Sequence, residues 1–423
     1  MESRKTLKRL FVHVKKMNII PHLFRTEYSK IVAVLCKTYG FSNIELAEDI
    51  VSDTFLKATE TWGLKGVPEH PTAWLYHVAK NRVKDHFKRE QVFNEKVKPS
   101  VKGNGQEAYV LDFSEENIED SMLRMMFAVC HPLITTESQI ALALRVLCGF
   151  SIDEIANALL SNKANINKRL IRAKEKLRNN NFDINTFSKD ELKTKINGVL
   201  SILYLLFNEG YFSTVSNKKV RKDLCFEAMR LLYIMLHNSS TNQPSVAALM
   251  ALFCFQASRF EARTNELGEQ VLYENQNTEQ WDDELIKKGE YYLGLSAPKK
   301  RASKYHLEAM ISFWHTRKNP DQTRKWESIL QLYNKLLQLQ YSPIAALNRT
   351  FALAMVHGKE VALQEALKIK LHKNPLYHSL LAELYHPKYI EKQVEHLQEA
   401  IRLTKNKSDI ALLEKKLGEI FKK

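Results

Sequence analysis

Acidic side chains recur on one face of the helix that the sequence predicts for residues 44–62. Glu48, Asp49 and Asp53 fall on this face, roughly opposite a narrow apolar stripe that includes Phe55. Two interpretations are open on the pattern alone. Acids in the first turns of a helix interact favourably with its dipole, whereas an acidic face in a basic chain also suits docking of a basic partner.

A row of aromatic, amide and cationic side chains follows in the helix predicted for residues 72–90. Its members along one outer edge are Trp74, His77, Asn81, Lys84 and Lys88, with Tyr76, Lys80 and Arg82 beside them. Flat rings suit unstacked bases and cations suit phosphates, so this combination is typical of a surface that binds single-stranded nucleic acid. The alternative, partly buried aromatics beside solvated lysines, is the better interpretation of any single residue and the weaker one for the whole row.

The segment 163–178 combines an apolar stripe with a strongly basic outer surface. It contains seven Lys or Arg residues and a single acid, Glu175. At about 100° per residue, one side carries Ile166, Leu170, Ala173 and Leu177, and another carries Asn165, Lys168, Arg169 and Arg172. Such a helix suits the major groove of DNA, although a basic helix face is also common as solvated surface.

Local start signals place these surfaces on helices. Ser151 and Glu154 have the spacing of a capping box. With a turn at residues 160–163, they predict a helix-turn-helix whose second helix is the basic one. Ser42 and Glu45 predict a second capping box, at the start of the acidic helix.

Composition favours an all-α fold in a chain long enough for two or three domains. Only 13 glycines and 11 prolines interrupt 423 residues. The net charge of +15 is concentrated in residues 1–37, 80–102 and 163–178, which indicates a polyanionic partner. Residues 91–115 have the low hydrophobicity of a flexible linker.

Other features of the composition narrow the class of protein. The five cysteines are far apart, without the spacing of a metal site, and are expected to be buried thiols in a reducing compartment. The sequence has no apolar run near the roughly 20 residues of a membrane span. We therefore expect a cytoplasmic protein without a metal site or a membrane partner.

Residues 190–423 are predicted to form a long series of helices without catalytic spacing. The last two, at 389–421, form a hairpin of roughly tetratricopeptide length. A plain array of helical hairpins is nearly as good an interpretation. Either arrangement predicts a scaffold for protein contact or for packing within the chain.

Several blocks of the sequence resemble a known family. AEDIVSDTFLKATETW and PTAWLYHVAKNRVKDHFKRE are similar to regions 2.2 to 2.4 of extracytoplasmic-function (group 4) sigma factors, and residues 121–178 resemble their region 4. LYLLFNEGY, QVLYENQNTEQWD, YHLEAMISFWH and SPIAALNRTFALAMVHG resemble the subgroup with a large tetratricopeptide-like C-terminal extension.

The resemblance implies an all-α fold with four parts. These are sigma region 2 as a helical bundle at 1–92, a flexible linker at 93–118, region 4 with its helix-turn-helix at 119–182, and a tetratricopeptide-like regulatory domain at 183–423.

It also implies partners and contact residues for a protein that catalyses no reaction and needs no cofactor. The core polymerase contacts, on the β′ clamp helices, would be made by Glu48, Asp49, Asp53 and Phe55, and region 4 would meet the β flap. The row from Trp74 to Lys88 would hold the melted strand of the −10 element. The −35 duplex would be contacted by Lys163, Asn165, Asn167, Lys168, Arg169, Arg172 and Lys174. An intramolecular contact between the C-terminal domain and the sigma domains is a further hypothesis.

Two other classes of protein compete with this hypothesis. A helix-turn-helix transcriptional regulator would bind duplex DNA without docking on polymerase, and would not need the acidic face. An enzyme or ligand-binding helical protein would need a site that the sequence does not display, since it contains no Gly-rich phosphate loop and no nucleophile signature.

Overall fold

The computed structural model describes residues 19–97, 111–159, 161–180, 184–185, 187–211, 221–263, 265, 271–297, 301–404 and 407–421. Within these residues it contains eighteen α-helices and no β-strand, so the all-α prediction is confirmed. Residues 1–18, which belong to the basic range 1–37, lie outside the described residues. The chain divides into two compact units, the first extending to Leu205 and the second beginning at Leu206.

The first unit contains both regions that resemble sigma domains. Its complete helices are α1 (Ile19–Tyr39), α2 (Ile44–Lys65), α3 (Pro71–Val97), α4 (Glu115–Val129), α5 (Thr136–Val146), α6 (Ile152–Ala158) and α7 (Lys163–Asn179). Helix α1 packs against α2, α3, α4 and α5. The two regions that the sequence separates by a linker therefore share one packed unit.

Helix boundaries follow the local signals in most places. Ser151 and Glu154 form the predicted capping box at the start of α6, and Gly40, with a φ of 86°, follows the end of α1. The second predicted capping box is wrong, because Ser42 lies inside a short 3-10 turn and Asn43 precedes α2 without a side-chain cap. Helices α3 and α4 both extend into the range 93–118 that was predicted to be a linker.

The second unit is a continuous series of helices. Its boundary with the first falls inside α8 (Lys189–Tyr211). There follow α9 (Lys222–His237), α10 (Pro244–Ala257), α11 (Asp283–Leu295), α12 (Lys304–Thr316), α13 (Gln322–Leu339), α14 (Pro343–His357), α15 (Lys359–Ile369), α16 (Pro375–Tyr385), α17 (Ile390–Leu403) and α18 (Lys407–Ile420).

The later helices of this unit pack on their neighbours along the chain, as a helical array requires. One apolar core runs from Leu307 to Leu384, and a smaller one joins α16, α17 and α18. The classification as tetratricopeptide-like stays a prediction. Between α10 and α11 the described residues include three short 3-10 helices, Glu261–Arg263, Tyr273–Asn275 and Thr278–Gln280.

The five cysteines are all buried, and none is in a disulfide, as expected. Burial also raises the pKa of the Cys36 thiol and brings the pKa of Cys130 to about 12, so both thiols are protonated at neutral pH.

Candidate nucleic-acid interface

A buried carboxylate, Glu48, lies at the centre of the first unit. Its side chain accepts hydrogen bonds from the hydroxyl of Tyr28 at 3.0 Å and from Nε of Arg145 at 3.0 Å. The ammonium of Lys174 forms an ion pair with its other oxygen. We call these four residues the Glu48 network; it joins α1, α2, α5 and α7.

The Glu48 network is enclosed and electrostatically coupled. Glu48 is 6% exposed and Tyr28 is fully buried. The guanidinium of Arg145 also lies 5.2 Å from the centre of the Tyr28 ring and donates a hydrogen bond to the carbonyl of Phe150. Burial, reinforced by the neighbouring carboxylate, raises the pKa of Tyr28 well above its usual range.

The burial of Glu48 differs from the sequence prediction, which placed it on an exposed acidic face. The helical projection of α2 does separate the acids from the apolar stripe. It cannot show that a different part of the chain covers one edge of the acidic face. The side chains of Arg145 and Lys174 contact Glu48 there, and they follow it in the sequence by 97 and 126 residues.

The other residues predicted to dock on polymerase are divided between surface and core. Asp49 and Asp53 are exposed, and Asp53 lies 3.7 Å from Arg82 in an exposed ion pair. Phe55 is buried, with its ring packed edge-on against Phe24 at 4.9 Å. Of the four predicted contacts, the structure leaves only the two aspartates accessible.

Four polar side chains form an exposed edge along α3, as the sequence pattern predicts. They are His77, Asn81, Lys84 and Lys88. The amide of Asn81 lies 2.9 Å from the imidazole of His77, so the two form one hydrogen-bonding surface. We call these residues the α3 edge.

The remaining members of the predicted row are half-buried. Trp74 packs edge-on against Trp62 at 5.2 Å, which makes it partly core. Lys80 lies 5.5 Å from the ring of Phe113, and Arg82 is occupied by Asp53.

One contact beside this row was missed from the sequence. The ring of Tyr76 stacks on Phe113 at 4.4 Å, and its hydroxyl donates a hydrogen bond to Glu27 at 2.6 Å. Phe113 lies in the predicted linker, so helical periodicity carried no signal for the stack. The pairing attaches the chain just before α4 to α3.

The basic helix α7 presents most of its predicted residues to solvent. Asn162 caps its start by accepting from the backbone N–H of Asn165. The exposed predicted residues are Lys163, Asn165, Asn167, Lys168 and Arg172, while Arg169 is half-buried. The apolar stripe, Ile166, Leu170, Ala173 and Leu177, is buried as predicted.

Lys174 lies away from the outer face of α7. At 100° per residue it is roughly 160° round the helix from Arg172, and it faces the buried Glu48. Lys163, on the same flank, pairs with Asp153 at 2.7 Å. The exposed basic face is therefore formed mainly by Asn165, Lys168, Arg169 and Arg172.

Among the residues that the structure describes, no group of three or more His, Cys, Asp or Glu side chains is placed to hold a metal ion. Nor does any described helix combine the length and the apolar character required to cross a bilayer.

The α3 edge lies within a segment that matches a known protein family. Residues 23–92 match the family described as Sigma-70 region 2, and residues 195–297 match a family of unknown function, DUF6596. Uncharacterized protein R00370 of Rhizobium meliloti (strain 1021) is 31% identical over 391 residues, covering 90% of this chain and 91% of that protein. No solved structure matches this chain.

Proposed function

We propose that this chain, which belongs to one family with the Rhizobium meliloti protein, directs core RNA polymerase to promoters as an extracytoplasmic-function sigma factor. Its match to Sigma-70 region 2 supports a sigma-70 family sigma factor. One observation carries the proposal. The matched residues 23–92 fold as the three helices α1 to α3 and present the polar α3 edge to solvent. Sigma-70 region 2 supports a role in transcription initiation, and thus in general an interaction with polymerase and promoter DNA.

The α3 edge is proposed to hold the unpaired −10 strand. Asn81 and His77 supply hydrogen-bonding groups for base edges, and Lys84 and Lys88 supply positive charge for phosphates. Trp74, packed on Trp62, keeps part of its ring near the start of this edge. A half-buried ring is rigid, which lowers the entropy cost of stacking a base on it.

The outer face of α7 is proposed to contact the −35 duplex. Asn165 and Lys168, in the first two turns, are placed as a recognition helix places its base-contacting residues. Arg172 and Arg169 are proposed to bind phosphates, which would fix the register on the duplex. Lys174 is omitted from this proposal because it belongs to the Glu48 network.

Core polymerase is proposed to dock on Asp49 and Asp53 through its β′ clamp helices, with the β flap contacting the region that includes α5 to α7. Glu48 would join the docking surface only after the Glu48 network opens. The packed first unit is then a closed form of the protein, and polymerase would bind the open form. The second unit is proposed to modulate this activity in the cytoplasm, and no catalytic residue is required for the role.

The decisive experiment mixes the full chain with core RNA polymerase and measures co-elution and promoter-dependent run-off transcription. Replacing both acids (Asp49→Asn with Asp53→Asn) should weaken core binding about tenfold or more, since a docking surface that loses two charges loses affinity. Glu60→Gln is the matched control, because Glu60 is an exposed acid on the same helix. It should bind core polymerase like the unaltered protein.

Failure of the full chain to bind core polymerase would overturn the proposal. Binding to duplex promoter DNA in the absence of polymerase would then favour the helix-turn-helix regulator. Equal effects of the double substitution and of Glu60→Gln would show that docking uses another surface.

A further inference from the structure

Two cations in the second unit lie against the same phenol ring. The guanidinium of Arg259, just after α10, lies 4.7 Å from the centre of the Tyr273 ring. The ammonium of Lys325, in the first turn of α13, lies 5.0 Å from the same centre and donates a hydrogen bond to the Tyr273 hydroxyl at 3.1 Å. That hydroxyl donates to the backbone carbonyl of His315 at 2.9 Å.

Trp281 completes this group of residues. Its ring stacks near Tyr273 at 6.3 Å and lies 5.8 Å from the guanidinium of Arg259. We call Arg259, Tyr273, Trp281, His315 and Lys325 the buried cationic cluster. Lys325 is only 4% exposed, and Arg259 is half-buried.

The positive charge of the buried cationic cluster has no acidic partner among the described residues. Nε of Arg259 donates to the neutral amide oxygen of Gln276, and Lys325 bonds to a phenol. Two carboxylates of α11 pair with other cations, Asp283 with Lys318 and Glu290 with Arg317. Charged side chains are rarely buried without a partner, because the low dielectric of the interior penalises them strongly.

Two polar atoms of the cluster are also closed off from solvent, with no partner in the described part of the chain. They are Nε1 of Trp281, which can only donate, and Nδ1 of His315. Burial, together with the charges of Lys325 and Arg259, lowers the pKa of His315 to about 3. The imidazole is therefore neutral at physiological pH, and the net charge of the cluster is that of its two cations.

Two of the sequence blocks that resemble the C-terminal extension contain residues of the buried cationic cluster. Tyr273 and Trp281 belong to the block QVLYENQNTEQWD, and His315 ends the block YHLEAMISFWH. These blocks are far apart in the chain, and the role in transcription initiation uses neither of them. The structure brings them together around Arg259.

We propose that the buried cationic cluster is a binding site for a small oxyanion with two negative charges, a phosphate or the phosphate group of a monoester. Two cations match its charge, and the planar guanidinium of Arg259 matches the spacing of two phosphate oxygens. The indole N–H of Trp281 supplies a further donor. Arg259, Tyr273 and Trp281 fall within residues 195–297, the match to a family of unknown function. The inference goes beyond the proposed role in transcription and does not depend on it.

Inorganic phosphate is the probe for the test, with the full chain in chloride buffer at constant ionic strength and no polymerase present. Phosphate should bind at one site by titration calorimetry. At about ten times its Kd it should raise the melting temperature of the second unit by roughly 3–6 °C. Lys325→Met and Arg259→Gln should each weaken phosphate binding at least tenfold.

Matched controls come from exposed cations of the same unit. Lys318→Met and Arg317→Gln remove charges that are paired with Asp283 and Glu290, and both variants should retain phosphate binding. In the absence of phosphate, Lys325→Met should melt no lower than the unaltered protein, because it removes a buried charge that has no counter-ion among the residues that the structure describes.

Several results would overturn the proposal. One is the absence of any phosphate response in the unaltered protein. A second is a response to succinate without a response to phosphate, which would indicate a dicarboxylate site. A third is a large fall in melting temperature both for Lys325→Met and for Glu266→Gln with Glu269→Gln. That pattern would mean that acids outside the described residues neutralise the cluster.

Discussion

Lys174, on the helix predicted to contact the −35 duplex, forms a buried ion pair with Glu48, on the helix predicted to dock on polymerase. The side chains of both residues are almost enclosed, with 12% and 8% of their surfaces exposed. The pair therefore connects the two regions that a sigma factor uses for different partners. Separating these regions must break it.

Replacing Lys174 should loosen this connection. In Lys174→Met the Glu48 carboxylate keeps Arg145 and Tyr28 but loses a buried charged partner, which costs about 1–3 kcal/mol. Amide hydrogen exchange in α2 and α7 should become about 5–150 times faster, and core polymerase affinity should rise.

Lys176→Met is the control for this prediction, because Lys176 is exposed on the same helix. It should change neither the exchange rates nor the affinity. Unaltered core affinity in Lys174→Met, despite faster exchange, would show that the Glu48 network does not limit docking.

The two proposed DNA surfaces should respond differently to substitution. Arg172→Ala should weaken holoenzyme binding to duplex promoters of any sequence, and should reduce the slope of log affinity against log salt by about 1. Asn81→Ala with Lys84→Ala should mainly weaken binding to DNA with a pre-melted −10 region, because it removes a hydrogen-bonding group and a positive charge from the proposed single-strand surface.

Lys65→Ala, an exposed cation at the end of α2, controls for the loss of charge and should leave both kinds of binding unchanged. If substitutions in the α3 edge weakened binding to duplex DNA alone, the roles proposed for the α3 edge and for the outer face of α7 would be the wrong way round. Fluorescence anisotropy with the two DNA forms at several salt concentrations measures both effects.

Two glycines of α11 give a matched pair for the packing of the second unit. A Cβ added at Gly289 would lie 2.5 Å from the buried ring of Phe255, whereas at Gly294 it would meet nothing within 4 Å. Gly289→Ala should therefore destabilise the second unit by about 1–3 kcal/mol through overpacking.

Gly294→Ala should change the stability by less than about 1 kcal/mol, in the stabilising direction, since alanine favours a helix. Thermal unfolding of both variants measures the difference. Equal stabilities would show that the contact between α10 and α11 adapts to a methyl group.

The neutral His315 predicts a pH dependence in buffer without phosphate. Its folded pKa, about 3, lies below its ordinary value of 6.5. A depressed folded pKa gives stability that is present above pH 6.5 and is lost as the pH falls towards 3. The loss is about 1.4 kcal/mol per pH unit, or about 2 kcal/mol between pH 6.5 and 5.

His315→Phe should remove this part of the pH dependence, while His237→Gln, a substitution of an exposed histidine, should not. Denaturant unfolding at several pH values measures the slopes. The same slope in His315→Phe and the unaltered protein would show that folding does not depress the pKa of His315.

The helices and their inward faces were determined by local sequence. Apolar residues at helical spacing account for the buried stripe of α7, and the pair of Ser151 and Glu154 accounts for the start of α6. The exposed α3 edge was predictable for the same reason, since spacing along one helix decides which side chains share a face. None of these features depends on a distant part of the chain.

Tertiary structure alone decided what covers those faces. Glu48 has the spacing of an exposed acid, and only the placement of α5 and α7 gives it Arg145 and Lys174 as partners. The buried cationic cluster arises in the same way, from residues that no periodicity connects. Helical periodicity describes one helix at a time, whereas burial and charge pairing are set by which helices meet.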